Sequence, residues 1–312
     1  MSGPLTTSVP TAPGRPWFDT PNIRRVLVIA AILGFAMGVQ TLVLHLAIDP
    51  LADVPAYYDA GARLNAGQPL YEQAAGVGVN DPAFYRYPPL LAIAFRPLAG
   101  LPYGVAAAIW EAVVLLSFGL TIARVGPRRK ATWVLVGMLA LPIGWTLAIG
   151  QAQALVTLLL AIRAPWSLAV ATHLKLFPAL AALWWVGRRD WAALATFAAW
   201  TIGLGLVQLV LEPAGTVAYP AFIATDQVGR VANVSPYALS PVLWAALLVG
   251  GVLAALRWGP TRAGWPLAIA LAVLASPRLL VYQASSLVAG LREPAARGVE
   301  PVGDSRFGDT HR

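Results

Sequence analysis

The stretch VLVIAAILGFAMGVQTLVLHLA, Val26 to Ala47, decides the fold of this chain. It contains no Asp, Glu, Lys or Arg, and a helix of about 20 apolar residues crosses the ~30 Å hydrocarbon core of a membrane. Arg24 and Arg25 stand directly before it, and basic residues favour the cytoplasmic side. We therefore predict a transmembrane helix that begins on the cytoplasmic side.

The composition of the whole chain agrees with this prediction. Of its 312 residues, 58% are hydrophobic and 12% are charged, and the mean hydropathy is +0.67, whereas soluble domains carry about 25% charged residues. The formal net charge of +8 is interpreted as cytoplasmic loop charge, so no nucleic-acid partner is expected. Because cysteine is absent and the three histidines stand singly, we expect no disulfide, no thiol nucleophile and no metal site.

Further apolar stretches predict an all-α, polytopic membrane protein with about ten transmembrane or re-entrant helices. The stretch between Arg163 and Arg189 is interpreted as two short helices, broken near Lys175 and Pro178, because proline and a charge both disfavour a straight helix in mid-membrane. The other predicted helices are Gly104 to Ala123, Ala131 to Ile149, Ala152 to Ile162, Trp191 to Leu211, Pro241 to Leu256, Gly264 to Ala275 and Leu279 to Leu291.

The longest polar region lies between Ile48 and Tyr103. Its segment YRYPPLLAIAFRPLAGLP, Tyr85 to Pro102, is too short and too rich in proline to span a membrane, and is predicted to be juxtamembrane or re-entrant. The region holds five acidic residues, Asp49, Asp53, Asp59, Glu72 and Asp81.

Basic clusters such as Arg124 to Lys130 set the expected topology, because they favour the cytoplasm. External loops are expected at about 48–103 and 212–236. Flexible cytoplasmic tails, 1–23 and 292–312, are expected to flank one integral membrane domain, 24–291. The arginine-rich composition is typical of a high-GC bacterium, so we expect its cytoplasmic membrane. On this topology the external cations, which lie on the same face as the acids, are Arg63, Arg86, Arg96, Lys175, Arg230 and Arg278.

Several external residues are candidates for binding, each with a simpler alternative. Lys175 and Arg278 are suited to a lipid phosphate at headgroup level, or they snorkel to the interface. Arg230 is suited to a sugar or a phosphate, or is a solvated loop charge. Gln151 is able to bind sugar hydroxyls, or to form hydrogen bonds with the free backbone groups at the end of a neighbouring helix. The tyrosines are able to stack on a sugar or to form an interfacial belt; they are Tyr57, Tyr58, Tyr85 and Tyr87.

Six short strings, in order along the chain, resemble glycosyltransferase family 87. These are polyprenol-phosphate-mannose-dependent mannosyltransferases and their relatives in the GT-C superfamily. The strings are DVPAYYDA (53–60), YRYPPL (85–90), GQ (150–151), KLFP (175–178), RRDW (188–191) and SP (276–277). The chain departs from the family after the last string, where the residues Arg278-Leu-Leu-Val-Tyr282-Gln283 stand in place of polar or acidic residues.

The resemblance implies a GT-C-like helical bundle that transfers a sugar, by family mannose, from a polyprenyl-phosphate-sugar donor. The acceptor is expected to be lipid-linked or a glycan, at the external face of the membrane. By match to the first string, Asp53 is the expected catalytic base of a metal-independent inverting reaction; no cofactor is implied, the lipid-phosphate sugar being a co-substrate. The donor phosphate is assigned to Lys175, Arg278 and Arg230, and the sugar or acceptor to Gln151, Tyr57, Tyr58 and Tyr87.

Three other functions remain open on the sequence. A membrane transporter or lipid flippase would place acids at the membrane midplane and carry an internal repeat, but only Glu111 lies well inside a predicted span and no repeat is evident. A catalytically degenerate relative fits the departure at Arg278. A structural membrane subunit explains the composition but not the string that begins at Asp53.

Overall fold

The computed structural model describes residues 20–72, 78, 80–224 and 233–292. These ranges are helical and contain no strand, which confirms the predicted all-α class. Nearly all of the predicted tails lies outside them. The helices are α1 (Pro21–Ile48), α2 (Val54–Asn65), α3 (Pro89–Phe95), α4 (Tyr103–Val125), α5 (Lys130–Met138), α6 (Ala140–Ala148), α7 (Gln153–Ile162), α8 (Pro165–Leu174), α9 (Leu183–Arg188), α10 (Trp191–Leu211), α11 (Pro213–Ala224), α12 (Pro236–Leu239), α13 (Pro241–Trp258) and α14 (Gly264–Leu274), with 3₁₀ segments Leu98–Gly100, Phe177–Ala182 and Val281–Leu291.

Within the described part of the chain, four helices are long and apolar enough to cross a membrane, namely α1, α4, α10 and α13. Only 6% of the apolar window is buried in α1, α10 and α13, and 33% in α4. Large apolar side chains such as Ile32 (62% exposed) and Leu253 (60%) therefore point away from the protein. Surface of this kind is suited to lipid rather than to water, so the protein is a multi-pass membrane protein.

Shorter helices form an inner layer that is buried by protein. Helix α7 packs against α4, α8 and the segment Val281–Leu291, and α14 packs against α13 and the same segment. Leu160, Leu168 and Ile269 from α7, α8 and α14 are enclosed. A helix that is apolar on all sides is stable in such a position. The polar ends of these inner helices are where the candidate site lies.

The predicted helix over Ala131 to Ile149 is wrong as a straight element. It consists of α5 and α6, which meet near Leu139 at a bend of 54°. Pro142, in the first turn of α6, explains the break, because proline lacks the N–H that continues a helix and its ring clashes with the carbonyl four residues earlier. A second difference is Leu279 to Leu291, most of which is a 3₁₀ segment rather than an α-helix.

The predicted break near Lys175 is confirmed. Helix α8 ends at Leu174, and Lys175 has an extended backbone before the 3₁₀ segment that contains Pro178. The segment Tyr85 to Pro102 holds only the seven-residue α3 and a short 3₁₀ turn, as expected of a stretch too short to span. Both interruptions leave polar side chains beside the inner layer.

Helix α1 contacts α5 and α6 through glycine. A Cβ atom at Gly34 would lie 2.8 Å from the carbonyl oxygen of Gly137, and one at Gly38 would overlap the carbonyl oxygen of Ala140. Small residues spaced by four allow helices to approach closely in lipid, where packing rather than water exclusion drives association. This contact aligns the end of α1 with the end of α6, next to the first loop.

We predict that Gly38→Ala lowers the thermal unfolding midpoint of the detergent-solubilised protein, because the new methyl group overlaps backbone of α6. Gly203→Ala is the matched control, since a Cβ atom there meets nothing within 4 Å; it should leave the midpoint unchanged or raise it, as alanine favours a helix by up to about 1 kcal/mol over glycine. Equal midpoints for the two variants would contradict the close α1–α6 contact.

Candidate active site

Two cavities meet on one side of the inner layer. The first has a volume of about 200 Å³ and is lined by polar groups, among them His45, Asp49, Asp53 and Asp81. The second, of about 330 Å³, is more apolar and is lined by Lys175 and by side chains of α11, including Phe222. The residues that line both cavities, and so form the wall between them, are Arg86, Tyr87, Arg278, Leu280 and Tyr282.

The backbone holds Asp53 at the edge of the first cavity. The N–H of Leu51 donates to the carbonyl of Ala148 at 3.0 Å, and the N–H of Asp53 donates to that of Ile149 at 3.1 Å. These bonds tie the loop after α1 to the loop after α6. Because helix α2 begins directly after Asp53, the carboxyl group has a fixed position between a helix start and a turn.

Gln151 is the partner of that carboxylate. Its amide nitrogen donates to Asp53 Oδ2, and its amide oxygen accepts from the hydroxyls of Tyr57 at 2.9 Å and Tyr87 at 2.6 Å. The orientation of the amide follows from chemistry, since a carboxylate only accepts and a tyrosine hydroxyl is able to donate. Gln151 is fully buried, and these contacts use its oxygen and one of its two N–H groups.

Aromatic packing keeps this network in place. The ring of Tyr57 lies 5.2 Å from that of Tyr87 and 5.8 Å from that of Trp110, both edge to face. The indole N–H of Trp110 donates to the carbonyl of Gly150 at 2.7 Å. Gly150 has φ +65°, a left-handed conformation that glycine adopts without steric cost, and this turn directs Gln151 inward.

Burial determines the acidity of Asp53. It raises the pKa of Asp53 to about 6, against the opposing effect of Lys175, Arg86 and His45 and of the hydrogen bond from Gln151. Desolvation disfavours the charged form of an acid, whereas nearby cations favour it. A carboxylate with a pKa near 6 is charged at neutral pH and is a stronger base than an exposed aspartate.

Lys175 lies across the wall from Asp53. Its ammonium donates to Gln153 Oε1 at 2.7 Å, and it lies 5.3 Å from the ring centre of Tyr87 and 4.9 Å from that of Tyr282. Aromatic faces attract cations at such distances. The side chain therefore points into the protein rather than snorkelling outward along a lipid-facing surface.

The wall between the cavities itself contains two arginines, Arg86 and Arg278. Arg278 lines both cavities, as does Arg86, whose guanidinium donates to the carbonyl of Asp81 at 3.3 Å. Arg230, assigned from the sequence to the donor phosphate, lies outside the described residues.

The other sequence-predicted groups lie near the same two cavities, and Tyr57 and Tyr87 line the first of them. Tyr57 and Tyr87 are buried against Gln151 rather than forming an interfacial belt. Gln151 donates to Asp53 and lines neither of the two cavities. Tyr58 does not line either cavity, and its hydroxyl donates to the carbonyl of Leu101 at 2.8 Å.

Sequence reasoning left Arg86, Gln153 and Tyr282 out of the site. Arg86 stands in the string Tyr85-Arg86-Tyr87, so its signal was its place in a motif already noted. Gln153 is a glutamine at the start of an apolar helix, and polar residues in such helices are functional candidates. Tyr282 belongs to the stretch that departs from the family after Ser276-Pro277, but its contact with Lys175 depends on the fold of the 281–291 segment.

The comparison with protein families covers all five residues of the wall between the cavities. A family model for glycosyltransferase family 87 matches residues 84–296, more than half of the chain. The chain belongs to glycosyltransferase family 87. The matched range contains Arg86, Tyr87, Gln151, Lys175 and Tyr282, and it begins after Asp53.

Curated relatives extend the likeness. A polyprenol-phosphate-mannose-dependent alpha-(1-2)-phosphatidylinositol pentamannoside mannosyltransferase of Mycolicibacterium smegmatis is 32% identical over 166 residues, 47% of this chain and 40% of the relative. The protein of the same name from Mycobacterium tuberculosis is 27% identical over 295 residues, 81% of this chain and 67% of that relative. The first match thus spans less than half of the relative's length. No solved structure matches the chain.

The hydrogen bonds of Gln151 predict a stability effect in this family 87 protein. Gln151→Leu leaves the Asp53 carboxylate and two tyrosine hydroxyls without that partner, and each buried group that loses its bond costs about 1–3 kcal/mol. Because the hydroxyls of Tyr57 and Tyr87 lie 3.1 Å apart and keep their bond to each other, we expect a loss of about 2–4 kcal/mol of unfolding free energy, measured by thermal or denaturant unfolding in detergent. Gln40→Leu on the exposed face of α1 is the control and should change little; equal losses would contradict the network.

Proposed function

We propose that this protein transfers mannose from a polyprenyl-phosphate-mannose donor to a lipid-linked or glycan hydroxyl, at the external face of a bacterial cytoplasmic membrane. The reaction is a metal-independent inverting displacement with Asp53 as the general base. Membership of glycosyltransferase family 87 supports the reaction class, and the names of the mycobacterial relatives support the donor. The acceptor class rests on the chemistry of the first cavity.

The observation that carries this proposal is that the carboxylate and the lysine line different cavities, which share the wall of residues described above. Of these two cavities, Asp53 lines the first and not the second, whereas Lys175 lines the second and not the first. A base and a cation therefore face a common junction from two sides. An inverting displacement needs this arrangement, because the acceptor oxygen attacks the anomeric carbon from the side opposite the leaving phosphate.

The walls suit the two substrates. The second cavity combines Lys175 and Arg278 with apolar side chains such as Phe177, Phe222 and Ile223, which suits a phosphate that continues into an isoprenoid chain. The first cavity combines the base with Asp49, Asn80 and Asp81, which are hydrogen-bonding partners for hydroxyl groups. We place the sugar of the donor where the cavities meet.

The chemical step follows from these positions. The Asp53 carboxylate removes the proton of the acceptor hydroxyl as its oxygen bonds to the anomeric carbon. The bond from that carbon to the phosphate oxygen breaks, and the released polyprenyl phosphate carries away the bonding electrons. Lys175, Arg86 and Arg278 stabilise the negative charge that develops on the phosphate, so no second carboxylic acid is required to protonate the leaving group.

The external location follows from the loops that build the site. Asp53, Arg86 and Arg278 come from segments that the distribution of basic residues assigns to the external side. The cluster Arg124 to Lys130, assigned to the cytoplasm, lies at the other end of α4. The polyprenyl donor would then enter from the outer leaflet, with its apolar chain in the membrane.

Replacement of the base tests the mechanism. We expect Asp53→Asn to lower transfer about 10²- to 10⁴-fold, the usual cost of losing a general base, because asparagine keeps the size but not the basic oxygen. The assay follows label from radioactive polyprenyl-phosphate mannose into a new lipid or glycan in a membrane extract. Asp59→Asn, on the exposed face of α2, is the matched control and should retain most of the activity.

The rate should also depend on pH through Asp53. Since its pKa is raised to about 6, the carboxylate is charged and active above pH 6, and it is protonated and inactive below. We expect kcat/KM for the acceptor to be level above pH 7 and to fall about tenfold per unit well below pH 6. A profile that stays level down to pH 4.5 would contradict the raised pKa of Asp53.

Accessibility of single cysteines tests the topology, since the native chain has no cysteine. Gln68→Cys should react with a membrane-impermeant thiol reagent in intact cells, and Arg128→Cys should react only after the cells are opened. Both native side chains are exposed, so access alone decides the result. Labelling of Arg128→Cys but not Gln68→Cys in intact cells would invert the topology and move the site to the cytoplasm.

A further inference from the structure

The turn between α6 and α7 directs two glutamines to opposite parts of the site. Gln151, before α7, binds Asp53, which lines the first cavity. Gln153, the first residue of α7, binds Lys175, which lines the second cavity. The proposed function gives Gln153 no role, yet it is buried and directly bonded to the cation.

The orientation of the Gln153 amide is fixed by a chain of donors behind it. The hydroxyl of Thr157 donates to the backbone carbonyl of Gln153 at 2.7 Å, so the hydroxyl of Ser286, 2.9 Å away, is the donor to Thr157. Ser286 then accepts from the amide nitrogen of Gln153 at 2.6 Å. The amide oxygen is left to face the ammonium of Lys175.

Lys175 is held on several sides by neutral groups. Gln153 accepts one of its N–H groups, and the rings of Tyr87 and Tyr282 flank it. Within the described residues the one ion pair closer than 4 Å joins His45 and Asp49, so Lys175 forms none there. A glutamine oxygen anchors the ammonium without cancelling its charge, whereas a carboxylate would neutralise it.

We propose that Gln153 is a positioning residue, which holds the Lys175 ammonium in the wall of the second cavity so that its charge is directed at a lipid phosphate. The inference rests on the proposed function for the identity of that phosphate. One turn, residues 150–153, then fixes the position of the base Asp53 through Gln151 and the position of the cation Lys175 through Gln153. The separation of base and phosphate is thereby fixed by a short piece of backbone.

The test measures binding of a short-chain polyprenyl phosphate to the purified full chain in detergent, by thermophoresis. Gln153→Met keeps the length of the side chain and removes the acceptor, so we expect the Kd to rise roughly 10- to 100-fold, as for loss of a hydrogen bond to a charged group. The uncharged polyprenol should bind equally to both proteins. Gln68→Met, at an exposed position, is the matched control and should leave both affinities unchanged.

A second variant separates positioning from a structural role. Gln153→Glu keeps the shape and forms an ion pair with Lys175, so the unfolding midpoint should be retained while the affinity for polyprenyl phosphate falls. Ser286→Ala, which removes the partner that orients the amide, should weaken binding in the same direction by a smaller factor. These variants decide the question even where Gln153→Met does not fold.

A double-mutant cycle with Lys175→Met gives the decisive result. If Gln153 acts only through Lys175, Gln153→Met has no further effect on the Kd once Lys175 is replaced. Equal Kd values for wild type and Gln153→Met, or full additivity in the cycle, would overturn the inference, as would a wild type that binds polyprenyl phosphate no better than polyprenol. A wild type that binds the phosphate but transfers no sugar would refute the proposed function and leave this inference standing.

Discussion

The hydrogen bond from Gln151 to Asp53 is the interaction on which the candidate site depends. It joins residues 98 positions apart in the chain and brings the loop after α1 onto the turn before α7. The backbone bonds from Leu51 and Asp53 to Ala148 and Ile149 join the same two segments. The glycine contact between α1 and α6 brings the ends of these helices close enough for the bonds to form. Helix packing in the membrane therefore determines where the carboxylate lies.

The membrane imposes a second constraint, because polar groups inside it must find partners within the protein. His173 illustrates this. Its Nε2 lies 2.9 Å from the carbonyl of Thr201 and its Nδ1 lies 2.5 Å from the amide nitrogen of Gln208, and the oxygen of the same amide accepts from the N–H of Leu90 at 3.0 Å. This network is complete, since a neutral histidine is able to donate at one nitrogen and accept at the other. It serves to attach α3 to α8 and α10, in contrast to Lys175, whose charge faces a cavity.

Hydropathy predicted the long helices and the break at Lys175, since both depend on local composition. The bend between α5 and α6 could also have been predicted from the sequence, because Pro142 lies next to it. The pairing of Gln151 with Asp53 and the inward direction of Tyr57 and Tyr87 could not be predicted, because they depend on contacts between segments that are distant in the sequence. Tyr282 is the clearest case: the residues around it depart from the family pattern but give it no role, and a 3₁₀ segment instead of an α-helix places its ring beside Lys175.

The charges around the junction link donor binding to the strength of the base. Lys175 and Arg86 lower the pKa of Asp53, while burial raises it to a larger extent. On the proposed placement, a lipid phosphate beside Lys175 brings negative charge that offsets these cations, and an anion nearby raises the pKa of a carboxylate further. Its arrival also fills the second cavity and excludes water, which strengthens both electrostatic effects. Asp53 would then be the stronger base when the donor is present, so proton removal is favoured when a sugar is available to receive the attacking oxygen.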